Sequence, residues 1–185
     1  PGWMGDPPWS TYEWDSEAFP NPAEMMTDLR AMGIRTCLWI TPYVAPGSQA
    51  YQEGLENGYF LKDAAGKVTP IVEAFAGTEM GAVDFTNPAA VRWFQSKLRH
   101  LLEMGAAVFK SDFGEQILAD VVCHDGRTEQ EMHNLCPLLY NRAVFETAKA
   151  FFGRGLTWAR SGYAGSQRYP VQWGGDSYAS FDQMT

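Results

Sequence analysis

Apolar and polar positions along this chain follow two kinds of pattern. Short apolar runs lie at 35–40, 106–110, 156–159 and 169–173. Each run has the length and composition of a buried strand. Longer segments bounded by helix-start and helix-stop residues separate these runs. Strands that alternate with helices predict βα units, and therefore an α/β protein with a parallel sheet.

Helix boundaries are marked by cap residues, prolines and glycines. Helices are predicted over 21–33, 48–57, 87–105 and 128–153. The last of them opens on a capping box formed by Thr128 and Glu131, and Pro137 is expected to kink it. The turn-forming residues 63–66 predict a β-hairpin in the segment that follows the second helix.

Each predicted strand is followed by charged, hydroxyl or aromatic side chains. These are Trp39 and Thr41, then Lys110 and Asp112, then Arg160, then Trp173 and Asp176. Asp112 is the most informative, because a carboxylate at the end of a buried strand costs desolvation free energy. Alone, it is equally explained as a helix cap or as an ion-pair partner of Lys110. Successive strand ends with such groups favour a ligand site, since parallel α/β folds bind ligands at that edge.

Two parallel-sheet folds are compatible with this order of elements. A doubly wound sheet is possible, but no glycine-rich phosphate fingerprint follows any strand. A (β/α)8 barrel needs about 250 residues, and this chain supplies about half of its units. We therefore expect a central piece of a barrel, cut from a longer protein. Alone, it should be inactive and poorly stable, because a half-barrel has open sheet edges.

Composition narrows the class of partner. A net charge of −8 disfavours nucleic acid and anionic membranes as partners, and no apolar run reaches membrane-spanning length. Aromatic residues make up 14% of the chain, which favours a concave site for a ligand such as a carbohydrate. Three cysteines without zinc-site spacing predict reduced, buried thiols in a cytoplasmic protein. No metal and no cofactor are expected.

A pair of carboxylates with cationic and aromatic neighbours suits glycoside hydrolysis. One carboxylate, Asp112 or Asp176, would attack the anomeric carbon while the other protonates the leaving oxygen. The acid must keep its proton near neutral pH. Two other interpretations stay open. One is a metal-dependent hydrolase that uses Asp112, Glu115 and His124; the other is a non-catalytic carbohydrate-binding module.

The stretch from Val108 to Glu115 closely resembles the nucleophile signature of glycoside hydrolase family 31, and within it the bacterial α-xylosidase-like branch. Further matches are Tyr12–Asp15, Phe19-Pro20, Leu38–Tyr43, Val83–Pro88, Met132–Asn134, Trp158–Ser161 and Val171–Asp176. The resemblance covers essentially the whole chain. It implies a retaining α-glycosidase with Asp112 as nucleophile and Asp176 as general acid/base. The strands would be the third to sixth of the barrel.

The same resemblance implies how substrate is bound. Lys110 and Arg160 would bind sugar hydroxyls, and Trp39 and Trp173 would wall the −1 subsite. The substrate would be an oligosaccharide or small α-glycoside that loses a terminal sugar, with xylose favoured and glucose or sulfonated glucose as alternatives. A homo-oligomeric full-length protein is left open.

Four features depart from the family pattern. A substrate-binding Asp, expected just before Pro1, and a substrate-binding His, expected on a later strand, both fall outside this chain. Gly2 leaves room near the C6 group of the sugar, which weakens strict xylose specificity. Residues 74–79 differ from the Trp-rich form of the family.

Overall fold

A computed structural model describes residues 2–5, 10–72, 77, 79–117 and 120–183. The helices are α1 (Pro22–Ala31), α2 (Gln49–Glu56), α3 (Pro88–Met104), α4 (Glu129–Met132) and α5 (Leu135–Phe152). The strands are β1 (Cys37–Ile40), β2 (Tyr43–Val44), β3 (Lys62–Asp63), β4 (Pro70–Val72), β5 (Glu79–Ala82), β6 (Val108–Ser111), β7 (Val121–Val122) and β8 (Trp158–Ala159). The divergent segment noted at 74–79 lies mostly outside these residues.

The central sheet has the order β1-β6-β8, and both of its strand pairs are parallel. Helix α3 connects β1 to β6 along the chain, and α4 and α5 connect β6 to β8. The predicted α/β class with a parallel sheet and a partial barrel is confirmed. The fourth predicted strand is reduced to one bridge, between Ala159 and Gln172. The amides of Val171 and Trp173 nevertheless donate to the carbonyls of Thr157 and Ala159 along it.

The two faces of the central sheet differ in burial. Leu38, Ile40 and Phe109 face one way and are buried in the cluster that includes residues of α3 and α5. The alternate positions face the opposite side, where Trp158 is 43% exposed. Cys37 also lies on this open face and is exposed, so the prediction of three buried thiols is wrong for it. Cys123 and Cys136 are buried, and all three cysteines are free.

The helices begin and end close to the predicted cap residues, with one exception. Asn87 caps α3 by accepting a 2.9 Å hydrogen bond from the Ala89 amide, and the capping box at the start of α4 is present. The predicted 128–153 helix is two helices, because the chain breaks between α4 and α5 at residues 133–134. Pro137 then falls in the first turn of α5, where its missing N–H costs no helical hydrogen bond, so the predicted kink is wrong.

The segment between β1 and α3, called the excursion here, forms the small antiparallel sheet β2-β5-β4. Its strand β3 pairs antiparallel with β7, which follows β6 along the chain. The predicted hairpin is confirmed: the Asp63 amide donates to the Lys67 carbonyl at 2.9 Å, and the Asp63 carboxylate accepts from two turn amides. A second apolar cluster around Tyr43, Ile71 and Met80 buries these sheets against the chain after β6. Among the helices of the described ranges, none has the length and apolar character needed to cross a membrane.

Candidate active site

Side chains from neighbouring strand ends converge on the open face of the central sheet. Trp39 and Lys110 are paired in the β1–β6 register. The Asp112 amide donates to the Ile40 carbonyl at 2.9 Å, so the ladder continues past the end of β6. The Arg160 amide likewise donates to the residue before Asp112, at 3.1 Å. Because side chains alternate along strands, Trp39, Lys110, Asp112 and Arg160 point to one side.

The Asp112 carboxylate is buried and has donors on both oxygens. Its Oδ1 accepts hydrogen bonds from the Phe113 amide at 2.9 Å and from Arg160 Nη1 at 3.2 Å. Its Oδ2 accepts from the Trp39 indole Nε1 at 2.7 Å and lies 3.8 Å from Lys110 Nζ. Cations and neutral donors together stabilise its negative charge. Of the two simple explanations considered for this residue, the Lys110 ion pair is present, but none of these donors belongs to a helix start.

Arg160 lies between two carboxylates. Its guanidinium pairs with Asp112 through Nη1 and with Glu115 through Nη2, and it covers the Phe113 ring at 4.4 Å. Burial lowers the pKa of Arg160, but the carboxylates of Glu115 and Asp112 outweigh it, so the pKa is raised overall. Arg160 is therefore a permanent cation bound in a planar fork.

Trp173 joins the cluster from the segment after β8. Its amide donates to the Ala159 carbonyl at 3.0 Å, and its ring lies 4.5 Å from Lys110 Nζ. Trp158 packs edge-on against it at 5.7 Å between ring centroids. The Lys110 ammonium thus lies near the rings of both indoles, an arrangement that favours a cation.

Asp176 is the one predicted site residue that the structure does not bring into contact with the others. It is exposed and makes no hydrogen bond or ion pair with the described residues. The two preceding residues, Gly174 and Gly175, have no side chains, and the positions of their missing Cβ atoms have no neighbour within 4 Å.

An open depression of about 400 Å³ lies beside Arg160 and Trp173. It is lined by Glu115, His133, Asn134, Pro137, Arg160, Ser161, Gly162, Trp173, Gly174 and Gly175. The glycines that precede Asp176 therefore form part of its wall. The depression has the mixed aromatic and polar lining of a small-molecule site.

Sequence reasoning considered Glu115 only as a ligand in the metal-site interpretation, and it did not place Trp158 or Phe113 in this site. The alternation of side chains could have found Trp158, which is two positions before Arg160 on the same strand. No local pattern identifies the other two. Phe113 adopts a left-handed φ of 55°. Glu115 belongs to the site because its carboxylate pairs with Arg160, 45 residues away in sequence.

The metal-site interpretation required Asp112, Glu115 and His124 to converge. Within the described ranges, no group of three or more His, Cys, Asp or Glu side chains is arranged to hold a metal ion. His124 instead belongs to a separate loop, where its amide donates to the buried Asp84 carboxylate at 2.7 Å.

The whole chain, residues 1–185, matches the family model described as the glycosyl hydrolases family 31 TIM-barrel domain. The chain belongs to glycosyl hydrolase family 31. An alpha-xylosidase of Emericella nidulans is 39% identical over 185 residues, which cover 98% of this chain and 24% of that protein. An alpha-xylosidase of Lactiplantibacillus pentosus is 45% identical over 145 residues, covering 78% of this chain and 19% of that protein.

A solved family 31 structure gives the same fold. The sulfoquinovosidase of E. rectale, in complex with an aza-sugar inhibitor, superposes with a TM-score of 0.84 at 30% identity, covering 91% of this chain and 26% of that one. The chain thus spans about a quarter or less of the length of the curated relatives named here. The family 31 TIM-barrel fold accounts for the parallel β1-β6-β8 sheet and for its uncovered face.

Proposed function

We propose that this chain is the central part of the catalytic barrel of a retaining α-glycosidase, which removes a terminal α-linked sugar from an oligosaccharide or small glycoside. The observation that carries the proposal is the Asp112 carboxylate. It lies at the C-terminal end of a parallel strand, 7% exposed, with cations beside both of its oxygens. A buried carboxylate with cations beside both oxygens, on the ligand-binding edge, suits a nucleophile.

The proposed reaction has two displacements. Asp112 attacks the anomeric carbon, and the bond to the leaving oxygen breaks as Asp176 gives that oxygen a proton. A glycosyl-aspartate ester results. Water, deprotonated by Asp176, then attacks the same carbon, which releases the sugar and restores both carboxyl groups. Asp176 is exposed and follows Gly174 and Gly175, which line the depression beside Arg160, so its carboxyl group is open to substrate and to water.

The side chains around Asp112 have distinct proposed roles. Trp39 and Arg160 donate to opposite oxygens of the carboxylate, which orients it for attack. The remaining donors of Arg160 and the ammonium of Lys110 bind sugar hydroxyls, and the rings of Trp39 and Trp173 wall the −1 subsite.

An α-xyloside is the proposed substrate class, since two of the most similar relatives are named alpha-xylosidases. An α-glucoside and a sulfonated glucoside are the alternatives within the family, and the sulfoquinovosidase match supports keeping the latter. A sulfonate would need a basic partner, and the cations at the site are already engaged with carboxylates. The free thiols support a reducing, cytoplasmic location.

The first test compares full-length enzyme with its Asp112→Ala variant on aryl α-xyloside and aryl α-glucoside. We expect the wild type to favour the xyloside, and the variant to lose roughly four or more orders of magnitude in kcat. Asp125→Ala, a loop aspartate paired only with exposed groups, serves as the matched control and should retain activity. Sugar release by Asp112→Ala at the control rate would exclude Asp112 as nucleophile.

Covalent trapping distinguishes catalysis from simple carbohydrate binding. A 5-fluoro-xylosyl fluoride should add one sugar mass to the peptide that carries Asp112, because the fluorine slows hydrolysis of the ester. A non-catalytic binding module would bind xylosides without turnover and without this adduct.

A further inference from the structure

The turn directly after Asp112 has an uncommon backbone conformation. Phe113 and Gly114 have φ angles of 55° and 93°, both in the left-handed region. A bulky residue such as Phe is rare in this region and persists there only where its surroundings hold it. The question is therefore which groups hold this turn.

One side of the turn is held from β8. Ser161 Oγ donates to the Phe113 carbonyl at 2.6 Å, and the Arg160 guanidinium covers the Phe113 ring. These contacts fix Phe113 itself. They do not reach the backbone of Gly114 and Gln116, the residues on either side of Glu115.

The other side is held by the phenol of Tyr43, about seventy residues earlier in the chain. Its oxygen accepts hydrogen bonds from the amides of Gly114 at 3.3 Å and Gln116 at 3.1 Å. Its hydroxyl proton is donated to the Gln116 carbonyl at 3.4 Å. Tyr43 is 1% exposed, and burial raises its pKa above the ordinary value, so the hydroxyl keeps the proton that this donation needs.

The residue between these two amides is Glu115, whose carboxylate pairs with Arg160. Arg160 in turn donates to Asp112. The Tyr43 hydroxyl is thus connected to the Asp112 carboxylate by backbone, an ion pair and a charged hydrogen bond. A displacement of about 1 Å in such a chain is enough to cost an enzyme up to 10²-fold in rate.

We propose that Tyr43 is a positioning residue for Asp112, acting through the 113–116 turn, Glu115 and Arg160. This inference rests on the proposed function, because it assigns Tyr43 a part in the reaction of Asp112. Tyr43 touches neither Asp112 nor the open depression in the described structure. It belongs to β2, in the excursion rather than in the central sheet.

The test is Tyr43→Phe in the full-length enzyme, which keeps the ring and removes the hydroxyl. We expect kcat to fall roughly ten- to a hundredfold with KM changed less than about threefold, because binding groups remain while the nucleophile is misplaced. Tyr12→Phe is the matched control. Its buried hydroxyl donates to the Thr41 carbonyl at 2.7 Å and has no contact with the 113–116 turn, so kcat should be unchanged.

A double-mutant cycle with Glu115→Gln separates positioning from general destabilisation. If Tyr43 acts through Glu115, Tyr43→Phe should lower kcat in the Glu115→Gln background by less than threefold. Equal effects in both backgrounds, or a Tyr43→Phe variant that matches Tyr12→Phe in kcat, would overturn the inference. Thermal unfolding of all variants shows whether a lower kcat comes from a smaller folded fraction of the enzyme.

The outcome also separates this inference from the proposed function. An active wild type, an inactive Asp112→Ala variant and an unaffected Tyr43→Phe variant would refute the role of Tyr43 alone. Activity retained by Asp112→Ala would refute the proposed function, whatever Tyr43→Phe does.

Discussion

At the scale of single residues, Arg160 is the cation that links two carboxylates of the site, those of Asp112 and Glu115. Its planar guanidinium reaches Asp112 and Glu115 from two different nitrogens while its face covers Phe113. An ammonium has no such fork and no flat face, so lysine cannot replace these contacts together.

We therefore expect Arg160→Lys in the full-length enzyme to lower kcat/KM by about 10²-fold or more, although the charge is kept. Arg99→Lys is the control, since Arg99 is 64% exposed and pairs with Glu103 along a helix, where such pairs contribute little. Steady-state kinetics on an aryl glycoside measure both. An Arg160→Lys variant as active as Arg99→Lys would show that charge alone suffices.

A glycine is needed at position 114 because the backbone there is left-handed and leaves no room for a side chain. At φ 93°, an added Cβ would lie 2.8 Å from the Tyr140 ring and 3.1 Å from Ser161 Oγ. Gly126 has a similar φ of 86°, but a Cβ there would meet nothing within 4 Å. The two positions share the backbone strain and differ in the clash.

Gly114→Ala should therefore lower both activity and stability, by about 2–4 kcal/mol in the free energy of unfolding. Gly126→Ala should cost only the backbone term, about 1 kcal/mol, and leave kcat intact. Denaturant unfolding and kinetics of the full-length variants test this. Equal losses at both glycines would mean that the contacts with Tyr140 and Ser161 are easily relieved.

At the scale of elements, α5 holds the ends of β6 and β8 in register through Asn141. Its amide Nδ2 donates to the Ser161 carbonyl at 2.7 Å, and its Oδ1 accepts from Ser111 Oγ at 3.1 Å. Ser111 also bonds to Thr157 at 2.7 Å. This fully buried polar network lies under the strand ends that carry Asp112 and Arg160.

Asn141→Ala should lower the free energy of unfolding by about 1–3 kcal/mol, because it leaves a buried carbonyl and hydroxyls without partners. Asn57→Ala removes an exposed amide that bonds only to the end of its own helix, and should cost less than about 0.5 kcal/mol. Urea unfolding of the full-length variants measures the difference. Similar costs for the two would indicate that the α5 network relaxes or admits water.

Element prediction succeeded where the signal was local. The caps at Asn87 and Thr128 and the turn at Asp63 depend on neighbours within a few residues, and the structure has them. The predicted kink at Pro137 is wrong because the effect of a proline depends on its position in the helix. In the first turn of α5 its missing N–H removes no helical hydrogen bond.

At the scale of the whole molecule, the central sheet is covered on one face only. On the other face Trp158 is 43% exposed, and Cys37 is exposed as well. An exposed apolar sheet face marks a surface that another part of a protein covers. The match to the TIM-barrel family explains what that part is, since the inner face of a barrel is lined by all of its strands.

Residues 1–185 produced alone should therefore bind a hydrophobic dye, self-associate on size-exclusion chromatography and hydrolyse no glycoside. The full-length protein, at equal concentration, provides the comparison. If residues 1–185 alone are monomeric, unfold cooperatively and hydrolyse a glycoside, the open face of the sheet does not require the rest of the protein for folding or activity.

The sequence by itself determined the α/β class, the order of strands and helices, and the group of strand-end residues that includes Asp112 and Arg160. These follow from patterns within a few residues and from a rule about sheet edges. Only the tertiary structure decided which groups touch. The hydrogen bond from Trp39 to Asp112 and those from Tyr43 to the following turn join residues separated by as many as 73 positions. Such contacts depend on how strands align and helices pack, which no local pattern encodes.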